Sequence, residues 1–314
     1  MNLVLMVLTA FSVLFSGLLT AAAHNASPIV EDDAALFELP RDLPLAALFA
    51  LALLAILGAH ELGHYFAARL HKTRVTLPYF IPFPGSILGT LGAFIRFEEL
   101  PRNRRVLFDI ALAGPLAGLF VALPILLVGL TLSAVGPLPA NAASAAGISV
   151  EGNSLLYVGV KYLVKGQLLP APKETAELSS IAYWIRYFIT GEPIPWGGLD
   201  VELHPLAFAG WAGLLVTAFN LIPVGQLDGG HILYSVLGPK VIRTWPLVVL
   251  LLLLLGYVWR GWWLWGLLIF LLGQRPAMVR DEITGIDRKR QLLAILGLIV
   301  LVLVFIPVPF RKLG

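Results

Sequence analysis

Seven apolar runs divide this chain, and each is either long enough to cross a membrane as a helix or close to that length. A spanning helix needs about 20 mostly apolar residues. Charged residues make up only 13% of the chain, about half the share found in soluble domains. We therefore expect an all-α polytopic membrane protein with about six to seven transmembrane helices. The runs are 2–22, 44–70, 107–132, 206–227, 245–258, 262–273 and 291–307.

Two parts of this pattern leave alternatives open. The first run is followed by Ala21-Ala22-Ala23, which resembles a signal-peptide cleavage site, but no Lys or Arg precedes it. We expect a retained helix, with a cleaved signal peptide as the alternative. The runs 245–258 and 262–273 are both short, so the number of spans there is open. They predict a hairpin that turns at Arg260-Gly261.

Charge in the connecting segments predicts orientation. The segments 24–43 and 133–205 are acid-rich, whereas 71–106 and 274–290 are basic. Because positive segments stay on the cytoplasmic side, the acid-rich segments are expected outside and the basic segments inside. The basic pair at 311–312 would then lie outside, against the rule.

One apolar run ends in a metal-binding pattern. His60, Glu61 and His64 form the sequence HExxH directly after the uncharged stretch 44–59. Residues four apart share one face of a helix, so both imidazoles can bind one ion. The chain has no cysteine, so further ligands must be His, Asp, Glu or backbone oxygen. The alternative is a chance histidine pair at a water-facing helix end, although ionisable groups inside a span are functional by default.

A third ligand is expected elsewhere, because a catalytic zinc ion usually has three protein ligands. Asp228 is the strongest candidate, since it follows the apolar run 206–227 and is flanked by glycines that let another backbone approach. The predicted orientation puts His60 and Asp228 at similar depth near the cytoplasmic side. The alternative for Asp228 is an ordinary Asp-Gly turn. His231 is either an outer partner of the site or a helix-start histidine.

Two motifs together resemble the site-2 protease family of intramembrane zinc metalloproteases. The first is HELGH at 60–64, and the second is Asn-x-x-Pro followed by Leu-Asp-Gly at 220–229. The stretch 108–118, FDIALAGPLAG, is similar to the family's third core helix. The stretch 204–228 is similar to the branch found in cyanobacteria and plastids. No PDZ domain, which many bacterial relatives carry between the two motifs, is recognisable here.

The resemblance implies a metallopeptidase with one Zn²⁺ per chain, held by His60, His64 and Asp228. Glu61 is then the general base that takes a proton from the attacking water and returns it to the leaving amine. Asn220 is a candidate for binding substrate backbone or the oxyanion, with helix packing as an equal alternative. The expected substrates are transmembrane proteins cut within or near their spans, where Gly, Pro or Asn weakens the helix.

The resemblance also implies a re-entrant hairpin over 78–97. Proline and glycine there disfavour helix, and 93–97 alternates weakly, as a strand does. The edge of such a hairpin could pair with an extended substrate segment, and the alternative is a plain cytoplasmic loop.

The expected organisation has five regions. They are an N-terminal helix and outer loop (1–43), core helices with HELGH and the hairpin (44–132), an extracytoplasmic loop that is not a PDZ domain (133–205), a core helix with the second motif (206–244) and C-terminal helices (245–314).

Other function classes make different predictions. A divalent-cation transporter would carry polar residues on several spans, and a catalytically silent scaffold would lack one of the four motif side chains. The expected partners are the lipid bilayer and membrane-protein substrates, and the small net charge of +3 gives no nucleic-acid footprint. A bacterial-type plasma membrane is the expected location, with a plastid-type membrane as the alternative. Oligomeric state and substrate identity stay open.

Overall fold

The computed structural model describes residues 2–25, 38–145, 148–173, 179–272 and 278–313. Parts of the segments 24–43 and 274–290, on which the predicted orientation rests, lie outside the described residues. The chain forms two compact units. The first comprises Met1–Ala134, Leu203–Thr217 and Val279–Asp281, and the second comprises Val135–Glu202, Ala218–Met278 and Glu282–Gly314.

Helices dominate the described residues. They are α1 (Asn2–Asn25), α2 (Leu39–Leu70), α3 (Arg104–Leu132), α4 (Leu155–Lys165), α5 (Ser180–Thr190), α6 (Pro205–Asn220), α7 (Asp228–Leu237), α8 (Trp245–Leu255), α9 (Gly261–Leu272) and α10 (Arg288–Val304). The short strands are β1 (Tyr79–Pro82), β2 (Thr90–Phe94), β3 (Ala134–Pro137), β4 (Ser149–Glu151), β5 (Leu199–Glu202) and β6 (Phe310–Lys312).

The first unit is built on α1, α2 and α3, which are packed side by side. Among the described residues, these three helices are long and apolar enough to cross a membrane. Helix α2 begins at Leu39, five residues before the predicted start at residue 44. Pro40 is tolerated in its first turn because backbone N–H groups there have no acceptor within the helix, so the missing N–H of proline costs no hydrogen bond. Helix α3 begins after Asn103, whose side chain accepts hydrogen bonds from the backbone N–H groups of Arg105 and Val106.

A β-hairpin follows the HELGH helix and docks on α1. Strands β1 and β2 pair antiparallel, with Tyr79 opposite Phe94. Ser12 Oγ donates a hydrogen bond to the Gly89 carbonyl at 2.5 Å, and Ser16 Oγ donates to the Ser86 carbonyl at 3.0 Å. Gly89 has a φ of +74°, and a Cβ there would lie 2.5 Å from the Ser12 carbonyl oxygen. Only glycine permits both this conformation and this close approach.

The second unit combines short sheets with apolar helices. Strand β3 pairs with β5, and β4 pairs with the C-terminal strand β6. Helices α8 and α9 contact each other. Trp262 lies in a buried cluster with Ile222, Val224 and residues of both helices. Its indole N–H donates to the Pro307 carbonyl at 2.6 Å.

The structure corrects two expectations. The chain is mostly helical but not all-α, because the segments 78–97 and 133–205 are rich in proline and glycine and form short strands. By length and composition, the described residues contain three helices able to span, or four if Asp228–Arg243 and Trp245–Leu255, bent by 87°, form one broken span, and the expected six to seven spans stay a prediction. The predicted run 206–227 ends as a helix at Asn220, since Pro223 and Gly225 break it.

Candidate metal centre

Helix α2 brings His60 and His64 together inside the first unit. Their Nε2 atoms lie 3.1 Å apart, and the two rings meet edge to face with centroids at 4.8 Å. Two Zn–N bonds of about 2.0–2.1 Å at a tetrahedral angle would put the nitrogens about 3.3–3.4 Å apart. The observed spacing therefore fits two imidazole ligands of one zinc ion with only a small adjustment.

A backbone carbonyl fixes which ring nitrogen of His64 carries the proton. Its Nδ1 lies 2.7 Å from the carbonyl oxygen of Ile110 on α3. Because a carbonyl only accepts, Nδ1 must carry the proton, which leaves the Nε2 lone pair for a metal. Partners of this kind hold the ring of a ligating histidine in place and raise its basicity. The sequence motif alone does not predict this contact.

Two glycines of α3 make room for the histidines. A Cβ at Gly114 would lie 2.1 Å from His64 Nε2, and one at Gly118 would lie 3.2 Å from His60 Cβ. On α2, a Cβ at Gly63 would lie 2.6 Å from the Ala113 carbonyl oxygen. Small residues four apart let two helices approach closely in a membrane. The sequence signal for this role is the spacing Gly114-x-x-x-Gly118, which lies within the stretch 108–118.

Glu61 is buried beside the histidine pair. It is 4% exposed, as is His60, and His64 is 6% exposed. Glu61 is the one acidic residue in the sequence between Asp42 and Glu98. Burying a carboxylate in an apolar helix is costly unless it is paired or hydrogen-bonded, which makes Glu61 a candidate for a chemical role.

Asp228 and Asn220 lie at the two ends of a tight loop in the second unit. Asn220 ends α6, Asp228 is the first residue of α7, and both are partly buried. A Cβ at Gly229 would lie 2.0 Å from the Leu221 carbonyl oxygen, so the loop folds closely onto the start of α7. A carboxylate in the first turn is favoured by the helix dipole. His231 lies in the same first turn of α7.

Comparisons with known proteins give the family of this chain. Residues 48–255 match the sequence profile of Peptidase family M50. The chain is 34% identical over 260 residues to a protein of Oryza sativa subsp. japonica named probable zinc metalloprotease EGY1, chloroplastic, covering 82% of this chain and 40% of that one. In Arabidopsis thaliana it is 33% identical to the protein named EGY1 (85% and 43% covered) and 33% identical to the one named EGY2 (84% and 42%).

The chain spans about two fifths of the length of these relatives. The matched residues include both sequence motifs, HELGH at 60–64 and the Asn-x-x-Pro and Leu-Asp-Gly pattern at 220–229. The chain therefore belongs to peptidase family M50, the family of intramembrane zinc metalloproteases that its two motifs resemble.

Proposed function

We propose that this chain is an intramembrane zinc metalloprotease that hydrolyses peptide bonds in or near the transmembrane segments of other proteins. The observation that carries the proposal is the pair of Nε2 atoms 3.1 Å apart on a buried, apolar helix. A soluble protease would have no reason to place this pair inside a span, so the site fits a substrate that is itself in the membrane.

Asp228 supplies the third ligand in this proposal. It is the one acidic residue in the sequence between Glu202 and Asp281, a stretch of mostly apolar helix. Its backbone setting at the start of α7 suits a carboxylate.

Glu61 carries the proton in the proposed reaction. A zinc ion held by the three ligands would supply a Lewis acid and a water of lowered pKa. Glu61 takes a proton from the water as it attacks the peptide carbonyl, and then returns it to the leaving nitrogen, so the C–N bond breaks as an amine and a carboxylate form. Burial of Glu61 keeps this exchange away from bulk solvent.

Asn220 is proposed to bind the substrate. Its amide, at the end of α6, can donate to a peptide carbonyl or to the oxyanion that develops from it. The alternative is that the amide holds α6 in place. His231 is proposed as an outer partner of the metal site, in keeping with its place in the first turn of α7.

The hairpin of β1 and β2 is proposed to be re-entrant and to pair with extended substrate. A two-stranded sheet leaves backbone groups unpaired at its outer edges, and substrate strands add at such edges. The docking of its turn on α1 through Ser12 and Ser16 supports a fixed position. Irregular backbone at membrane depth is tolerated where it packs on protein.

The full arrangement is proposed to have six to seven spans, with the shorter helices α6, α8, α9 and α10 completing the three long ones. The five sequence regions are kept as the proposed organisation. The charge pattern of the connecting segments supports an active site near the cytoplasmic side. The pairing of β4 with β6 supports placing residues 311–312 on the same side as 133–205. The relatives' names favour a plastid-type membrane over the bacterial-type plasma membrane.

Zinc content tests the proposal. Mass spectrometry on detergent-purified wild type should find about one zinc per chain, with loss in His60→Ala and in Asp228→Ala. Gly58→Ala on α2 is the matched control, because a Cβ there meets nothing within 4 Å, and it should keep its zinc. Retention of zinc by Asp228→Ala but not by His231→Ala would move the third ligand to His231. If wild type still contained no zinc after reconstitution, the result would favour the alternative of a catalytically silent scaffold.

A further inference from the structure

An ionic cluster, buried except for the partly exposed Glu151, lies in the second unit and takes no part in the proposed reaction. It consists of Glu151 on β4, Tyr157 and Lys161 on α4, and Asp200 on β5. Lys161 is fully buried, with Nζ 3.4 Å from Asp200 Oδ1 and 4.6 Å from the Tyr157 ring centroid. The Tyr157 hydroxyl donates to Glu151 Oε1 at 2.8 Å. Three elements are thereby joined through polar contacts in an enclosed place.

The charges of this cluster do not balance. Two carboxylates, Glu151 and Asp200, share one cation, Lys161, which is the one fully buried lysine or arginine among the described residues. Lys161 pairs with Asp200. An enclosed charge without its own counter-ion is unfavourable, so the group tends to become neutral. Glu151 is the group that can do so by taking a proton.

Among the described residues around Glu151, the second cation is already paired elsewhere. Tyr187 faces Glu151 from α5, Tyr183 on the same helix faces Asp200, and both phenols are neutral. Arg311 on β6 is the other cation nearby, but its guanidinium donates to the Gly191 carbonyl at 2.6 Å and pairs with Glu192. The surplus negative charge therefore stays with Glu151.

Burial, and then the charge of Asp200, raises the pKa of Glu151 from its ordinary 4.5 to about 7, and Lys161 only partly opposes this. Below about pH 4.5 the carboxyl is protonated whether the chain is folded or not. Between about pH 4.5 and 7 the folded state holds a proton that the unfolded state has lost. Stability is therefore highest in acid and falls as pH rises through this window.

Water can reach the neighbourhood of Glu151. A small cavity with room for about one water molecule is lined by Glu151, Asn153, Tyr187 and Arg311, among others. The Asn153 Oδ1 atom is buried and has no hydrogen-bond partner in the described structure, which is typical of a place that takes water. A second, smaller cavity includes Asp200 and Arg311 in its lining.

Glu151 sits where the C-terminal strand joins the unit. It is opposite Phe310 in the pairing of β4 with β6. The ladder continues as Gly152 N–H donates to the Pro309 carbonyl at 2.7 Å and Leu313 N–H donates to the Ile148 carbonyl at 3.0 Å. An ionised Glu151 gains hydration if β6 separates from β4.

We propose that Glu151 is a proton-binding site that locks β6 onto β4 when protonated and loosens this pairing when ionised. The pairing of the C-terminal strand thus tightens in acid and opens toward alkaline pH. The inference does not depend on the proposed protease activity.

Hydrogen exchange on the full chain in detergent tests the proposal. Protection of amides in 148–152 and 309–313 is measured from pH 5 to pH 8, after correction for the chemical exchange rate. Wild type should lose protection on the order of 100-fold across this range. Glu151→Gln, a neutral residue of similar shape, should show high and pH-independent protection.

Glu192→Gln is the matched control, since it removes a half-exposed carboxylate that pairs with Arg311. It should change protection at every pH and keep the wild-type slope. The infrared band of a protonated carboxyl should titrate near pH 7 in wild type and be absent in Glu151→Gln, which keeps the test valid if exchange is altered by misfolding. A flat wild-type profile, or an unchanged slope in Glu151→Gln, would overturn the proposal.

Discussion

Replacing Gly114 with alanine should remove the metal without touching any ligand. The added Cβ would lie 2.1 Å from His64 Nε2 and 2.3 Å from its Cε1. Real Cβ atoms essentially never come within 3.0 Å of a neighbour, so the imidazole and the Cβ must move apart by about 0.9 Å. Metal–ligand distances tolerate only about 0.2 Å.

The His64 ring cannot make this movement freely. Its opposite nitrogen is held by the Ile110 carbonyl at 2.7 Å, so a shift of the ring strains or breaks that hydrogen bond too. Loss of such an outer partner alone costs about 10–100-fold in metal affinity. Displacement of the ligand adds to this, and we expect zinc binding to weaken at least about 100-fold.

Chelator competition on the purified protein, together with zinc content by mass spectrometry, measures the effect. Gly58→Ala is the control on α2, because a Cβ there meets nothing within 4 Å, and it should bind zinc as wild type does. Gly118→Ala should fall between the two, since its Cβ would lie 3.2 Å from His60 Cβ. Wild-type zinc affinity in Gly114→Ala would refute the reasoning that His64 Nε2 is a ligand in this position.

Two further predictions concern the reaction. Glu61→Gln should keep zinc and lower peptide hydrolysis by about 10²–10⁴-fold, the usual contribution of a general base; normal turnover by this variant, assayed on a single-span substrate, would exclude Glu61 as the base. A photoreactive residue at Leu91, an exposed position on β2, should cross-link to substrate in the Glu61→Gln background, whereas one at Phe120, an exposed position on α3, should not. Equal cross-linking at both positions would contradict substrate binding at the hairpin.

The helix that carries His60 and His64 could be predicted from the sequence because its signal is local. The spacing of His60 and His64 fixes their common face through helix geometry alone, and the structure confirms it with the 3.1 Å approach of the two rings. The turn between α8 and α9 also lies where Arg260-Gly261 indicates. Both features depend on residues close together in the chain.

The sequence prediction was wrong where helix-breaking residues interrupt an apolar run. It was incomplete where a side chain's hydrogen-bond partner lies far away in the chain. Apolar composition continues through 221–227, so the run suggested a longer helix than α6, whereas Pro223 and Gly225 end it at Asn220. The Ile110 carbonyl that orients His64 belongs to a backbone group 46 positions away, which no side-chain motif marks. Small residues on α3 indicate close packing but do not say which side chain they admit.

The ionic cluster is a second feature that the local sequence does not predict. Glu151, Lys161 and Asp200 occur in an acid-rich connecting segment, and charges in such a segment usually face water. Nothing in their spacing predicts that Lys161 becomes fully buried over the Tyr157 ring. In water, the two carboxylates would each be solvated separately. In the folded unit they share a single ammonium group, so their charges are not balanced. The proton binding that we propose for Glu151 thus rests on the packing of distant segments rather than on any motif.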